Sequence, residues 1–278
     1  MDAVLGLTKQ TITIVKLGLT QGMPQRGMVM LRYTTGIPGG LNTTVTSAFA
    51  SSPGEVPTDA TAGFPPLNIP AGKVGYLTRF VGCHTVGGAR HELYDLLYAV
   101  HEPAITTTGL RDLSSAPSYA SRVPRDADYA DCALYYWHPL HTAHTGNVTM
   151  TVTYTNQAGV SGRSTTVTIV PATAATFTPI PLQLGDVGVR RIESYNITAS
   201  ATATVDRSHL VVARRIYVTK GRGVAGGFAT SNGGCYVDGP VETGLPTVMP
   251  DSALFVSTSA NTSSAGVNEQ TFDIGWQA

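Results

Sequence analysis

Between residues 147 and 170 apolar and threonine side chains alternate with almost no charge, interrupted once by a glycine-containing stretch. Val148, Met150, Val152 and Tyr154 fall on one parity, and Thr149, Thr151, Thr153 and Thr155 on the other. A period of two puts these sets on opposite faces of a half-buried strand, and β-branched threonine suits a pleated surface. With Thr165, Val167 and Ile169 on the returning strand and 156–163 as the connection, the segment predicts a β-hairpin.

Similar patterns predict strands at 11–17, 28–33, 74–80, 133–137, 176–182, 189–201 and 210–218, with shorter pieces at 254–257 and 271–274. Gly22, Pro24 and Gly27 supply the turn between the first two. Pro179 and Pro181 place 176–182 at a sheet edge or leave it unpaired, since proline cannot donate to a ladder. Ile192 and Tyr195 sit on opposite parities, which predicts a bulge near Glu193. Residues 210–218 are apolar on both parities and read as a central strand. Residues 91–100 are ambiguous: Leu93, Leu96, Leu97 and Val100 match helical spacing, whereas the flanks favour a strand paired with 74–80 across Gly87-Gly88.

Two regions lack this periodicity. Residues 36–72 are crowded with Pro, Gly, Ser and Thr, and Pro65-Pro66 forbids regular pairing there. Beyond Lys220 the composition shifts to Gly, Ser, Asn and Ala. Both read as extended arms ordered by contact with a neighbour. The expectation is an all-β chain: N-terminal strands and an arm over 1–72, an antiparallel β-sandwich over 73–219 of jelly-roll-like or immunoglobulin-like topology, and an extension over 220–278.

Charge adds a negative result. Charged residues make up 13% of the chain, and 18 basic side chains balance 18 acidic ones. Such a surface has neither a nucleic-acid footprint nor a polybasic membrane patch, and near-zero net charge favours association with other protein. The start lacks the basic and apolar regions of a secretory signal, and no apolar run nears the roughly 20 residues that cross a bilayer, so synthesis and retention in the cytoplasm are expected. Cys83, Cys132 and Cys235 permit at most one bridge, with Cys132 expected as a small buried hydrophobe.

Candidate chemistry is sparse. His138, His141 and His144 are the candidates for metal ligation, but Pro139 disfavours the helix that would align them and no carboxylate completes the set, so no metal or cofactor is expected. Residues 221–226 satisfy G-x-G-x-x-G without a following helical period, and read as a linker. Tyr135, Tyr136 and Trp137 offer a stacking surface for a sugar, or a core strand. The pairs Arg190-Arg191 and Arg214-Arg215 stand outside any basic field and suit carboxylate contacts within or between subunits. Tyr135, Trp137 and these four arginines are the interface candidates. No catalytic triad or carboxylate pair stands at a recognisable spacing.

The run Thr153-Tyr154-Thr155-Asn156-Gln157-Ala158-Gly159-Val160-Ser161-Gly162-Arg163 is followed by Pro179-Ile180-Pro181-Leu182-Gln183-Leu184-Gly185-Asp186-Val187-Gly188-Val189-Arg190. These segments, with Leu93-Tyr94-Asp95-Leu96-Leu97-Tyr98, resemble a group of tailed-bacteriophage virion structural proteins from about Lys73 to Val218. The resemblance implies a non-enzymatic capsid decoration or cement protein, made in the host bacterial cytoplasm and carried on the virion. Its implied partners are the major capsid protein or other virion subunits and further copies of itself, with threefold symmetry favoured. A tail, connector or host-recognition component that binds glycans is the alternative. The resemblance brings no catalytic residues with it.

Overall fold

The computed structural model describes residues 6–16, 29–31, 49–84, 90–102, 105–124, 128–138, 146–170, 176–200, 208–219, 234–259 and 268–278. Among them the regular structure is nearly all strand, in antiparallel sheets. In chain order the strands are β1 (Thr8–Lys16), β2 (Val29–Leu31), β3 (Gly75–His84), β4 (Arg90–Glu102), β5 (Gly109–Asp112), β6 (Cys132–His138), β7 (Val148–Asn156) and β8 (Arg163–Ile169). There follow β9 (Thr176–Ile180), β10 (Val189–Ala199), β11 (Ser208–Val218), β12 (Gly234–Asp238), β13 (Thr247–Val248), β14 (Leu254–Ser259) and β15 (Asn268–Trp276). A single turn of helix, Pro240–Thr243, precedes β13.

The chain divides into two compact units, one of Met1–Gly39, Thr58–Asp95 and Ile216–Ala278, the other of Gly40–Pro57 and Leu96–Arg215. This differs from the expected core flanked by arms. The division falls inside β4 and β11, so each of these strands contributes to both units.

In the first unit one sheet runs β1-β15-β3-β12, with β13 also on β3, and β2-β14-β4 forms a second layer. Ile12, Ile14, Leu77, Phe80, Phe272 and Ile274 of the first layer meet Leu93, Leu254, Val256 and Ile216 in one core. The C-terminal segment is therefore not an arm: β15 lies between β1 and β3, and Leu254, Val256, Phe272 and Ile274 are fully buried. Its short alternating runs suffice because each is completed by strands far away in sequence, as in the pairing of Thr8 with Trp276. The register also sets Cys235 opposite Cys83.

The second unit stacks β5-β10-β7-β8 on a layer made from β4, β11, β6 and β9. Val148, Met150, Val152 and Tyr154 point into its core beside Ile192, Tyr195, Ile197, Leu134, Tyr136, Leu210 and Val212. The threonine parity of β7 stays half exposed. There Thr149 shares a hydrogen bond with Thr168 at 3.3 Å, and Thr151 one with Thr166 at 2.9 Å, a hydroxyl ladder that ties β7 to β8.

Several expectations are met: the β7–β8 hairpin, β9 at a sheet edge, β11 as an interior strand, and a register break in β10 between Ile192 and Ser194. Residues 91–100 are strand, but β4 does not pair with β3 as expected; it takes β14 and β11 instead. Likewise β1 and β2 pair with β15 and β14, not with each other. The described part of the 36–72 stretch is irregular yet packed. Leu67 and Ile69 join the first unit's core, and Phe49 lies against Trp137 in the second. Its backbone is satisfied piecemeal, as where Leu67 N–H donates to Asp59 and Asn68 N–H to Gln10, both at 2.8 Å. Residues 36–48, the turns at Gly22–Gly27 and Gly87-Gly88, and the glycine run 221–226 lie outside the described residues.

Candidate functional site

The segments that carry the family resemblance converge at one end of the second unit, around a carboxylate. Asp186 follows Gly185 in a turn, and its side chain is 3% exposed. Its Oδ2 accepts from the Tyr154 hydroxyl at 2.7 Å and from Arg163 Nε at 2.9 Å, while Oδ1 accepts from Asn156 Nδ2 at 2.8 Å. The Tyr154 hydroxyl oxygen in turn accepts from Gln183 N–H at 2.8 Å. Asn156 Oδ1 closes the β7–β8 connection by accepting from Ala158 and Val160 N–H at 3.1 and 3.0 Å. Gln157 Oε1 does the same for Val187 and Gly188 N–H at 3.1 and 3.3 Å. Burial opposes ionisation of Asp186, but the hydrogen bonds from Arg163, Asn156 and Tyr154 outweigh it and hold its pKa below the ordinary carboxylate value. This network is a fastener between loops.

Beside it β10 begins with a second register break, between Val189 and Arg191. Val189 pairs with Asn156 and Arg191 with Thr155, leaving Arg190 as the extra residue of a bulge. In a regular strand consecutive side chains point to opposite faces; here the burial order is buried, exposed, exposed, buried across Val189, Arg190, Arg191 and Ile192. The bulge thus sets both arginines in the lining of one depression of about 370 Å³, whose other walls include Ser115, Ser118, Tyr129 and Thr155. The Arg190 guanidinium lies 5.2 Å over the Tyr129 ring. Tyr129 and its neighbour Asp128 adopt φ of 57° and 41°, the left-handed region that costs a non-glycine residue strain. Gly188 is required nearby, because a Cβ there would meet Tyr129 O at 1.7 Å.

Two carboxylates lie close by, and neutral donors occupy both. Asp112 accepts from Ser114 N–H and Oγ at 2.9 Å each, and these bonds, with a smaller contribution from Arg191, hold its pKa below the ordinary value. Glu193 accepts from the Thr155 hydroxyl at 2.7 Å and from Gly162 N–H at 3.2 Å.

The other candidates are placed differently. Trp137 is fully buried against Phe49 and His209, and Tyr135 stacks on Phe177 at 4.2 Å, so neither offers a surface to a partner or a sugar. Arg214 is also buried at 5% exposure, because β11 is covered on both faces, while Arg215 is exposed. His138 ends β6, and His141 and His144 lie outside the described residues. Among the described residues no cluster of metal-ligating side chains occurs. Cys132 is buried, as expected. Of the arginines, Arg190 and Arg191 alone share a site. The serine loop and Tyr129 carry no local sequence signal for it; the only cue was two arginines beside a parity break.

No protein-family model matches the chain, and no curated protein matches it. Among solved structures, infectious bursal disease virus of the Gt strain aligns at 10% identity over 98% of this chain and 81% of that one, with a TM-score of 0.19. The VP2 subviral particle of the same virus aligns at 10% identity over 100% and 82%, also at 0.19. Its derived T=1 particle gives 11% over 97% and 78%, at 0.18. Similarity of this size does not establish a common fold.

Proposed function

We propose that this chain is a non-enzymatic structural protein of a virion, and that in a tailed phage it binds the capsid surface and stabilises the shell. One observation carries the reading: in the two segments that resemble phage virion proteins, Tyr154, Asn156, Arg163 and Asp186 are spent on internal fastening. A motif used this way specifies a rigid building block. The same turns expose apolar side chains, with Leu184 at 98%, Val187 at 58% and Val160 at 53%. Rigidly held apolar positions at one end of a unit suit contact with the major capsid protein or another virion subunit. The low charge content, 13%, fits a surface that works in contact with protein, and copies of the chain are expected to associate, as trimers at threefold positions.

The test compares complete particles with and without the chain. Shells that carry it should retain their contents at higher temperature and lower salt than shells that lack it. Equal robustness of the two overturns the cementing role. A density map of the intact particle that puts the chain on the tail or connector overturns the head assignment.

A further inference from the structure

We propose that the depression formed by Arg190, Arg191, Ser115, Ser118, Tyr129 and Thr155 is a binding site for a carboxylate-bearing saccharide. The inference stands on the second unit alone and is independent of the virion reading. Three local costs meet there. A ladder position is given up at the bulge, two consecutive non-glycine residues take left-handed φ, and two like charges are set side by side. Among the described residues neither arginine forms an ion pair, and the carboxylates of Asp112 and Glu193 are engaged by Ser114, Thr155 and Gly162. Strain and two neighbouring positive charges kept together at one concave place are explained by an anionic ligand that binds there.

The lining narrows the ligand. A guanidinium recognises a carboxylate through paired N–H donors, and Arg190 is steadied for this by its place over the Tyr129 ring. The Ser115, Ser118 and Thr155 hydroxyls suit a ligand that is itself rich in hydroxyls. The Ser118 hydroxyl already accepts from Ala120 N–H at 3.3 Å, and the Thr155 proton goes to Glu193, so Thr155 offers its oxygen as an acceptor. A volume of about 370 Å³ falls within the range of small-ligand clefts. The apolar walls are Ala116, Pro117 and Ala120, and the one aromatic ring in the lining, Tyr129, lies against the Arg190 guanidinium, so no aliphatic anchor of a protein-docking pocket is present.

Titration calorimetry on the full chain, with oligoglucuronate, a neutral glucan of the same length and hexaglutamate, tests this. Oligoglucuronate is expected to bind, the neutral glucan to bind at least about tenfold more weakly, and hexaglutamate likewise. Arg190→Gln and Arg191→Gln should each weaken oligoglucuronate binding by about tenfold or more, as loss of a charge-assisted hydrogen bond requires, with unchanged thermal unfolding. Arg190→Lys, which keeps the charge but not the paired donors, should also bind more weakly. The proposal is overturned if oligoglucuronate does not bind, if either glutamine variant binds it as tightly as wild type, or if the neutral glucan binds equally. It is also overturned if hexaglutamate binds as tightly, which would mark a docking site for an acidic protein segment.

Discussion

Arg163 and Asp186, 23 residues apart in sequence, are joined by a 2.9 Å contact from Nε to Oδ2 that bridges the start of β8 and the turn before β10. Because the Asp186 carboxyl is almost wholly enclosed while Arg163 is partly open, the carboxylate and not the arginine is the costly member to disturb.

Replacing Asp186 with Ala leaves the buried Tyr154 hydroxyl and Asn156 amide without their acceptor. A loss of about 2 kcal/mol is expected, read as a lowered denaturation midpoint with unchanged slope. The effect depends on pH in a fixed direction. The folded pKa of Asp186 lies below its unfolded value, so its contribution is complete above the unfolded value of about 3.9 and disappears as pH falls through the folded one. The stability gap between wild type and Asp186→Asn should therefore be constant from pH 5 to 7 and narrow below about pH 4. A gap that widens on acidification would contradict this arrangement.

The bulge at Arg190 predicts a contrast between two deletions. Removing Arg190 joins Val189 to Arg191 in the register they already hold against Asn156 and Thr155, so the strand should pair normally and unfold cooperatively. Removing Tyr195, which pairs with Val152 inside the regular ladder, inverts the facing of one side of β10 and should abolish folding. Soluble yield and the near-ultraviolet dichroism of the two variants report the difference.

How far the sequence reveals this fold is clearest from β10 and β15. Alternation identified both as strands, and the parity clash of Ile192 with Tyr195 located the bulge at Glu193. The bulge at Arg190 left no such trace, because two successive arginines are polar on either parity. The C-terminal strands were legible as strands but not as core. Their local apolar content is thin, and the partners that complete it, β1 and β3, are about 190 to 270 positions away in the pairings Gln270 with Gly82 and Thr8 with Trp276. Periodicity reports which face is buried and is silent about the partner. For the same reason the depression at Arg190 was not legible: its serines, tyrosine and arginines meet only through the tertiary fold.

Trp137 offers a direct check on the reassignment from interface to core. Truncation to Ala removes a fully enclosed indole packed on Phe49 and His209, and should cost about 3–5 kcal/mol. Trp137→Phe should cost markedly less, since it retains a ring in the same cluster. Urea unfolding of the three proteins measures both. A near-zero cost for the alanine variant would mean the ring is not enclosed.

The strongest contrast between an arm and a core strand comes from shortening the chain. An arm ordered only by neighbours can be removed without harm to the isolated subunit. β15 is different. It is hydrogen-bonded on both sides, to β1 through residues 268–276 and to β3 through much of the same length, and it places Phe272 and Ile274 in the first unit's core. Cutting the chain after Val267 exposes two new strand edges and deletes buried side chains worth roughly 1.5–3 kcal/mol each, which together exceed what a marginally stable unit can lose. The truncated chain is expected to be insoluble, or to lose the first unit's protection from hydrogen exchange while β7, β8 and β10 of the second unit stay protected. A soluble truncated chain with exchange unchanged in β1 and β3 would return the C-terminal segment to the status of an arm.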